Sequence, residues 1–173
     1  MIFFTSDQHY HHDRIIEYCN RPFKHTRDMD NTILHRYNSR VTDDDVVYFI
    51  GDLFDLQLGK NLYIVERMIN KLKGTKILIL GSHDFLKPFE YVELGFQSVH
   101  TSLQVMDFIL VHDPAVSCID RSKPFLCGHV HTLFKVQKNV INVGVDVWNF
   151  FPVSLTQIVE LRNKESNLSA LVE

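Results

Sequence analysis

Five times along this chain a short, continuous apolar run stops abruptly in glycine, aspartate or histidine. Ile2-Phe3-Phe4 runs into Thr5-Ser6-Asp7, Val46-Val47-Tyr48-Phe49-Ile50 into Gly51-Asp52, and Ile77-Leu78-Ile79-Leu80 into Gly81-Ser82-His83-Asp84. Phe108-Ile109-Leu110-Val111 then meets His112, and Pro124-Phe125-Leu126-Cys127 meets Gly128-His129-Val130-His131. Continuous rather than alternating apolar character marks strands buried on both faces. Ligands of such α/β sheets sit beyond the carboxyl ends of the strands, so the pattern constrains fold and site together. Five strand ends that each deliver an Asp or a His can converge on one rim.

Helical spacings fill the gaps between the early runs. Ile15, Ile16 and Cys19 follow Asp13; Met29, Ile33, Leu34 and Tyr37 follow Asp28; Leu62, Val65, Met68, Ile69 and Leu72 follow Asn61. Beyond residue 98 the pattern turns to consecutive strands, at 99–105, 108–111, 125–127, 134–137, 140–143 and 154–161, with Lys138-Asn139 as a hairpin turn. No repeat or linker interrupts the 173 residues, which reads as a single domain over 1–173. Gly51, Gly81, Gly128 and Gly144 all stand at strand ends with an Asp or His within the next two residues.

Composition narrows the function classes. Apolar residues make up 45% of the chain, with 13 Phe, which excludes intrinsic disorder. Ten His, and 14 Asp against 7 Glu, favour residue types that ligate divalent metals. Residues 1–87 carry 12 basic and 12 acidic side chains, and no basic face is visible, which argues against long nucleic acid as a partner. Cys19, Cys118 and Cys127 are odd in number and lack Cys-x-x-Cys spacing, arguing against a disulfide framework or a cysteine zinc site. The start has no basic region before its apolar residues, and no run approaches the roughly 18 residues of a spanning helix. The expectation is a cytoplasmic protein with no membrane partner.

Taken in order, Asp7-x-His9, Gly51-Asp52, Gly81-Ser82-His83-Asp84, His112 and Gly128-His129-Val130-His131 resemble the calcineurin-like metallophosphoesterases. Cys19-Asn20-Arg21-Pro22-Phe23 and Asn142-Val143-Gly144-Val145-Asp146-Val147-Trp148, followed by Pro152-Val153-Ser154, are similar to a small bacterial and phage branch of that family. The resemblance implies an α/β (α+β) fold: a four-layer αββα sandwich, two mixed sheets flanked by helices. It also implies a dinuclear metal site. Asp7, His9 and His131 would hold one ion, Asp52 would bridge, and His112 and His129 would hold the other. Ser82 stands where the family has asparagine; a hydroxyl is a shorter, weaker ligand, so the second site is expected to bind more weakly. Carboxylate and imidazole ligands suit Mn2+ first, with Fe, Zn, Ni or Mg also compatible.

The implied activity is a phosphodiesterase or phosphomonoesterase reaction, with in-line attack by a hydroxide bridging the two metals and His83 as general acid. Asp84 would fix the His83 tautomer. His12 and Arg21 are candidates to contact substrate, although the Arg21 segment also reads as a turn between helices. Asp146 and Trp148 either shape the pocket or pack in the core. The Asp43-Asp44-Asp45 run reads as a solvated turn. The expected partner is a small phosphate ester, and a homo-oligomer is compatible with the sequence. Two alternatives stand beside the enzyme: a catalytically weak scaffold of the same fold acting in protein interaction, and a nuclease.

Overall fold

The computed structural model describes residues 1–55, 61–116 and 122–169, so Cys118 lies outside it. Its first sheet carries strands β1 (Ile2–Thr5), β2 (Val46–Phe49), β3 (Thr75–Ile79), β4 (Ser98–His100) and β10 (Val153–Ser154), in the order β10-β1-β2-β3-β4. Strands β1 to β4 run parallel and β10 is antiparallel to β1. The second sheet contains β5 (Ser102–Val105), β6 (Phe108–Val111), β7 (Phe125–Cys127), β8 (Val136–Gln137) and β9 (Val140–Asn142), in the order β5-β6-β7-β9-β8. Here β6, β7 and β9 are parallel, with β5 and β8 antiparallel at the edges.

Strands β1, β2 and β3 divide their side chains between two cores, because successive residues point to opposite faces. Phe3, Val47, Phe49 and Leu78 join Ile15 of α1 (Asp13–Tyr18), Met29, Ile33 and Tyr37 of α2 (Thr26–Arg40), Val65, Met68 and Ile69 of α3 (Leu62–Ile69), and Tyr91 of α4 (Pro88–Glu93). Phe4 and Ile79 face the other way, meeting Phe108, Leu110, Leu126 and Ile141 of the second sheet and Ile158 of α5 (Leu155–Ser169). Two mixed five-stranded sheets flanked by helices are thus the architecture. The parallel strands β1, β2, β3, β6 and β7 all end towards one rim, as the apolar runs imply.

Three elements differ from the sequence reading. The strand expected at 99–105 is two strands in different sheets, broken at Thr101, where the chain passes from one sheet to the other. The strand expected at 154–161 is only Val153–Ser154, after which the chain is helical. Its cause is a reciprocal cap: Ser154 N–H donates to Gln157 Oε1 at 3.1 Å, and Gln157 N–H donates to Ser154 Oγ at 3.3 Å. A serine followed three residues later by glutamine is a helix-start signal, and it overrides the β-branched residues behind it. Finally, α4 was not anticipated; Pro88 begins it and Lys87 N–H donates to Glu90 Oε2 at 2.7 Å. The Asp43–Asp45 run is not wholly solvated either, since Asp45 is buried, accepting from Thr42 and the Met1 ammonium.

Candidate metal centre

The rim is built from left-handed backbone. Asp7 (φ 59°), His9 (φ 50°), Asp52 (φ 55°), His129 (φ 70°) and His131 (φ 43°) all lie where side chains are disfavoured. Each such residue costs about 1–3 kcal/mol, a strain that the surrounding structure must offset. Asp7 and His9 are therefore not on extended chain. They curl inward instead, held by Asp7 N–H to Gly51 O at 3.0 Å and His9 N–H to Asp52 O at 3.1 Å. Gly51 is itself left-handed at φ 84°, and a Cβ there would collide with the His112 ring and lie 2.6 Å from Gly81 Cα. A Cβ on Gly128 would collide with Ser6 Oγ and lie 2.7 Å from Asp7 Oδ2.

Four groups of possible donors result among the described residues, and besides His9–His12–His83 and Cys19–His131–Asp146 two unite the expected ligands. Ligand atoms of Asp7, His9 and His131 lie within 4.8 Å of one another, and so do those of Asp52, His112 and His129. Asp52 joins them, with Oδ2 at 3.6 Å from His9 Nε2 and 3.2 Å from His112 Nε2. Both Nε2 atoms are buried and lack a hydrogen-bond partner. Their other nitrogens are engaged. His112 Nδ1 lies 2.8 Å from Ile50 O, which can only accept, so this ring carries its proton on Nδ1 and directs the Nε2 lone pair at the cluster. His131 Nδ1 lies 2.8 Å from Asp146 Oδ2, the same arrangement with a carboxylate. His9 Nδ1 is 3.2 Å from His12 Nδ1. Buried imidazoles fixed on one side and unpartnered on the other fit a divalent cation.

Electrostatics agree. Burial pushes His9 down to about 2, leaving a neutral imidazole, and pushes Asp7 up, although His131 and His112 oppose that rise. Burial would raise Asp52 too, but the His112 ring 3.2 Å away and the His83 backbone N–H hold it below the usual carboxylate range. Burial would lower His112 and His131; Asp52 and Asp146 respectively outweigh it and lift them to about 9 and about 10. In the protein alone, protons on these two imidazoles supply the positive charge that the carboxylates require. A bound cation would take over that role.

The remaining sequence candidates divide. Ser82 Oγ donates to Asp52 Oδ2 at 3.2 Å. His83 N–H donates to Asp52 Oδ1 at 2.7 Å, and its ring stands perpendicular to His9 with centroids 4.8 Å apart. Asp84 does not orient that ring: its carboxylate accepts the backbone N–H groups of Asp52 (2.9 Å), Leu53 (3.1 Å) and Gly81 (2.7 Å), while His83 Nδ1 is buried and unpartnered. It ties the ends of β2 and β3 together. Arg21 does not face substrate. It is buried, donating to Asp146 through Nε (2.7 Å) and Nη2 (3.0 Å) and to the carbonyls of Asp7 (2.7 Å) and Gln8 (3.0 Å). Trp148 donates to Asn142 O at 2.8 Å beneath the Lys135 ammonium. His12 lines a cavity of about 290 Å³ over the cluster, with His9, Ile15, Tyr18, Cys19, His83, His131 and Thr132.

Asp146 is the residue whose role the sequence reading missed, as the partner of both His131 and Arg21. A signal for it existed. Gly144-x-Asp146 repeats, after β9, the glycine-then-ligand pattern of the other strand ends. Asn142 is the other: its side-chain N–H groups hold the His131 and Phe134 carbonyls at 2.7 and 2.9 Å.

Fold and site together define a mixed α/β protein of two five-stranded sheets whose strand ends gather buried His and Asp able to bind metal. The chain is 35% identical to uncharacterized protein MJ1445 of Methanocaldococcus jannaschii, covering 94% of this chain and 92% of that one, and it belongs to the same family. Gene 66 protein of Mycobacterium phage L5 is 27% identical, covering 92% and 93%. Among solved structures, the protein of unknown function AQ665 from Aquifex aeolicus aligns with TM-score 0.69 at 24% identity, covering 93% of this chain and 98% of that one. Pseudomonas putida nuclease MPE aligns with TM-score 0.52 at 20% identity, over 75% and 61%. Both share the fold. No family model matches the chain. No helix among the described residues is long and apolar enough to cross a membrane.

Proposed function

We propose that this chain is a cytoplasmic calcineurin-like metallophosphoesterase that hydrolyses a small phosphate ester, by preference a phosphodiester, with two Mn2+ ions. One observation carries the reading: Asp52 Oδ2 lies between two buried, unpartnered imidazole nitrogens, 3.6 Å from His9 and 3.2 Å from His112. Asp7, His9 and His131 would hold one ion, His112 and His129 the other, and Asp52 both. When bound, such ions supply Lewis acidity that activates water and offsets the charge of a transferring phosphoryl group.

The chain's own residues do the rest. His83 faces the cavity and is fastened through its backbone to the bridging carboxylate, a fixed position from which to protonate the leaving oxygen. Asp84 keeps its loop in register with β2 through three backbone hydrogen bonds. The Arg21–Asp146 pair sets the tautomer of His131. Ile15 and Cys19 form the drier wall of the cavity, with Tyr18 exposed at its mouth.

A nuclease reading draws on the fold shared with the Pseudomonas putida protein. Against it, among the described residues no Lys or Arg lines the cavity, whereas a groove that tracks a polymer needs cations along it. The test is Mn2+-dependent hydrolysis of an artificial phosphodiester and the matching monoester, with Asp52→Asn beside wild type. Turnover of the diester, lost in the variant, supports the proposal. No metal-dependent turnover of either ester would move the assignment to a non-catalytic scaffold.

A further inference from the structure

We infer that Tyr18 is a platform for a planar ring carried by one arm of the substrate, so that the site selects phosphodiesters bearing a nucleobase-like ring. This inference rests on the phosphoesterase reading and narrows its substrate class.

Three observations lead to it. First, α1 presents Ile15, Tyr18 and Cys19, at i, i+3 and i+4, to the cavity over the donor cluster. Ile15 is buried in the core at 4% exposure, yet Tyr18, one turn on along the same face, is 68% exposed. That helix face thus passes from the packed interior to an open aromatic at the cavity mouth. Second, the Tyr18 ring is held perpendicular to His12, with centroids 6.4 Å apart and planes at 86°, while His12 is itself held by His9. An aromatic joined to the cluster through one intermediary ring thus stands at the mouth of the cavity that faces the donors. Third, the lining is otherwise uncharged or imidazole; it offers no Lys or Arg for a second phosphate. Two divalent ions against Asp7 and Asp52 leave about +2, and an anionic nucleophile takes one unit. A single negative charge then completes neutrality, which a diester supplies and a monoester dianion exceeds. What Tyr18 can add is stacking, which suits any flat ring.

The experiment compares thymidylyl-(3′→5′)-thymidine with its doubly abasic counterpart, which differ only in the rings, following products by chromatography. Wild type, Tyr18→Phe and Tyr18→Ala are measured with Mn2+. Stacking predicts that Tyr18→Ala lowers the thymidine-to-abasic ratio of kcat/KM about tenfold, through KM, and that Tyr18→Phe keeps it. A second readout is independent of catalysis: saturation-transfer NMR with thymidine alone, where the signal on the base protons should fall in Tyr18→Ala and persist in Tyr18→Phe. If the ratio stays constant across the three proteins, or Phe behaves as Ala, the inference is overturned. If wild type hydrolyses neither of these nor the artificial esters, the phosphoesterase reading fails, and the NMR comparison still decides whether Tyr18 binds a ring; turnover of the artificial diester without turnover of either dinucleotide overturns the inference.

Discussion

The guanidinium of Arg21 and the carboxylate of Asp146 meet almost wholly out of solvent, with side chains 0% and 2% exposed, and the behaviour of His131 follows from that pair. Asp146 leaves His131 one tautomer, with its proton on Nδ1, and His131 together with Arg21 keeps Asp146 ionised against its burial. Asp146→Asn should therefore lower metal affinity about 10- to 100-fold, measured by metal titration; unchanged affinity would remove His131 from the ligand set. A pH dependence follows as well. His112 and His131 are raised from 6.5 to about 9 and about 10, so protonation stabilises the metal-free fold fully below 6.5, and that contribution is lost as pH rises through 9 to 10. Metal affinity has the opposite sign, rising with pH across the same window, because ions must displace those protons. Calorimetry in buffers of different ionisation enthalpy should show proton release at pH 7; none would contradict the scheme. Ser82→Asn should tighten the Asp52–His112–His129 group, and equal affinities would refute the weak-site expectation. At this scale the Asp and His donors that the fold brings together were legible because each follows a strand end. The role of Arg21 was not, since its partner lies 125 residues away and only the fold brings them together.

At the scale of elements, the turns after the strands decide whether ligands converge. Gly128 lets the β7 turn lie against Ser6 and Asp7, so Gly128→Ala should cost about 1–3 kcal/mol by denaturant unfolding. The same substitution should weaken metal binding, because the intruding methyl would lie 2.7 Å from Asp7 Oδ2. Helix α5 offers a simpler case. Gln157→Ala removes one half of the reciprocal cap on Ser154 and should cost about 1 kcal/mol by thermal melting, without changing metal stoichiometry. The helix was misread because Val153, Ile158 and Val159 favour strand on propensity alone, whereas Ser154-x-x-Gln157 is a specific hydrogen-bonded start. The break at Thr101 had no comparable local signal. Val99 before it and Val105 after it favour strand, and only the pairing of β4 with β3 and of β5 with β6 divides the stretch between sheets.

At the scale of the molecule, the two sheets share a core through Phe4, Ile79, Leu110 and Leu126, and the ligand-bearing turns rise from the same strands. Phe4 is fully buried and three residues from Asp7. Phe4→Ala should cost about 3–5 kcal/mol and lower metal affinity with it, read by unfolding with and without Mn2+. Unchanged affinity in the folded variant would show that the rim is independent of the core. The pairing of sheets was not legible from the apolar runs, which report burial on both faces but not what covers each face. Resemblance to a known family supplied that part.

The pairing of β1 with β10 also sets a timetable. Asp7 and His9 are made long before β10, and Phe3 and Phe4 find their outer neighbours only at Ser154 and Val153. His131 is likewise steadied by Asp146, close behind it in the chain. Sequence separations of this size make the centre a late product of synthesis, closed when its C-terminal strand docks on its N-terminal one. If the centre holds metal as proposed, an ion captured earlier would meet two or three donors instead of the whole set.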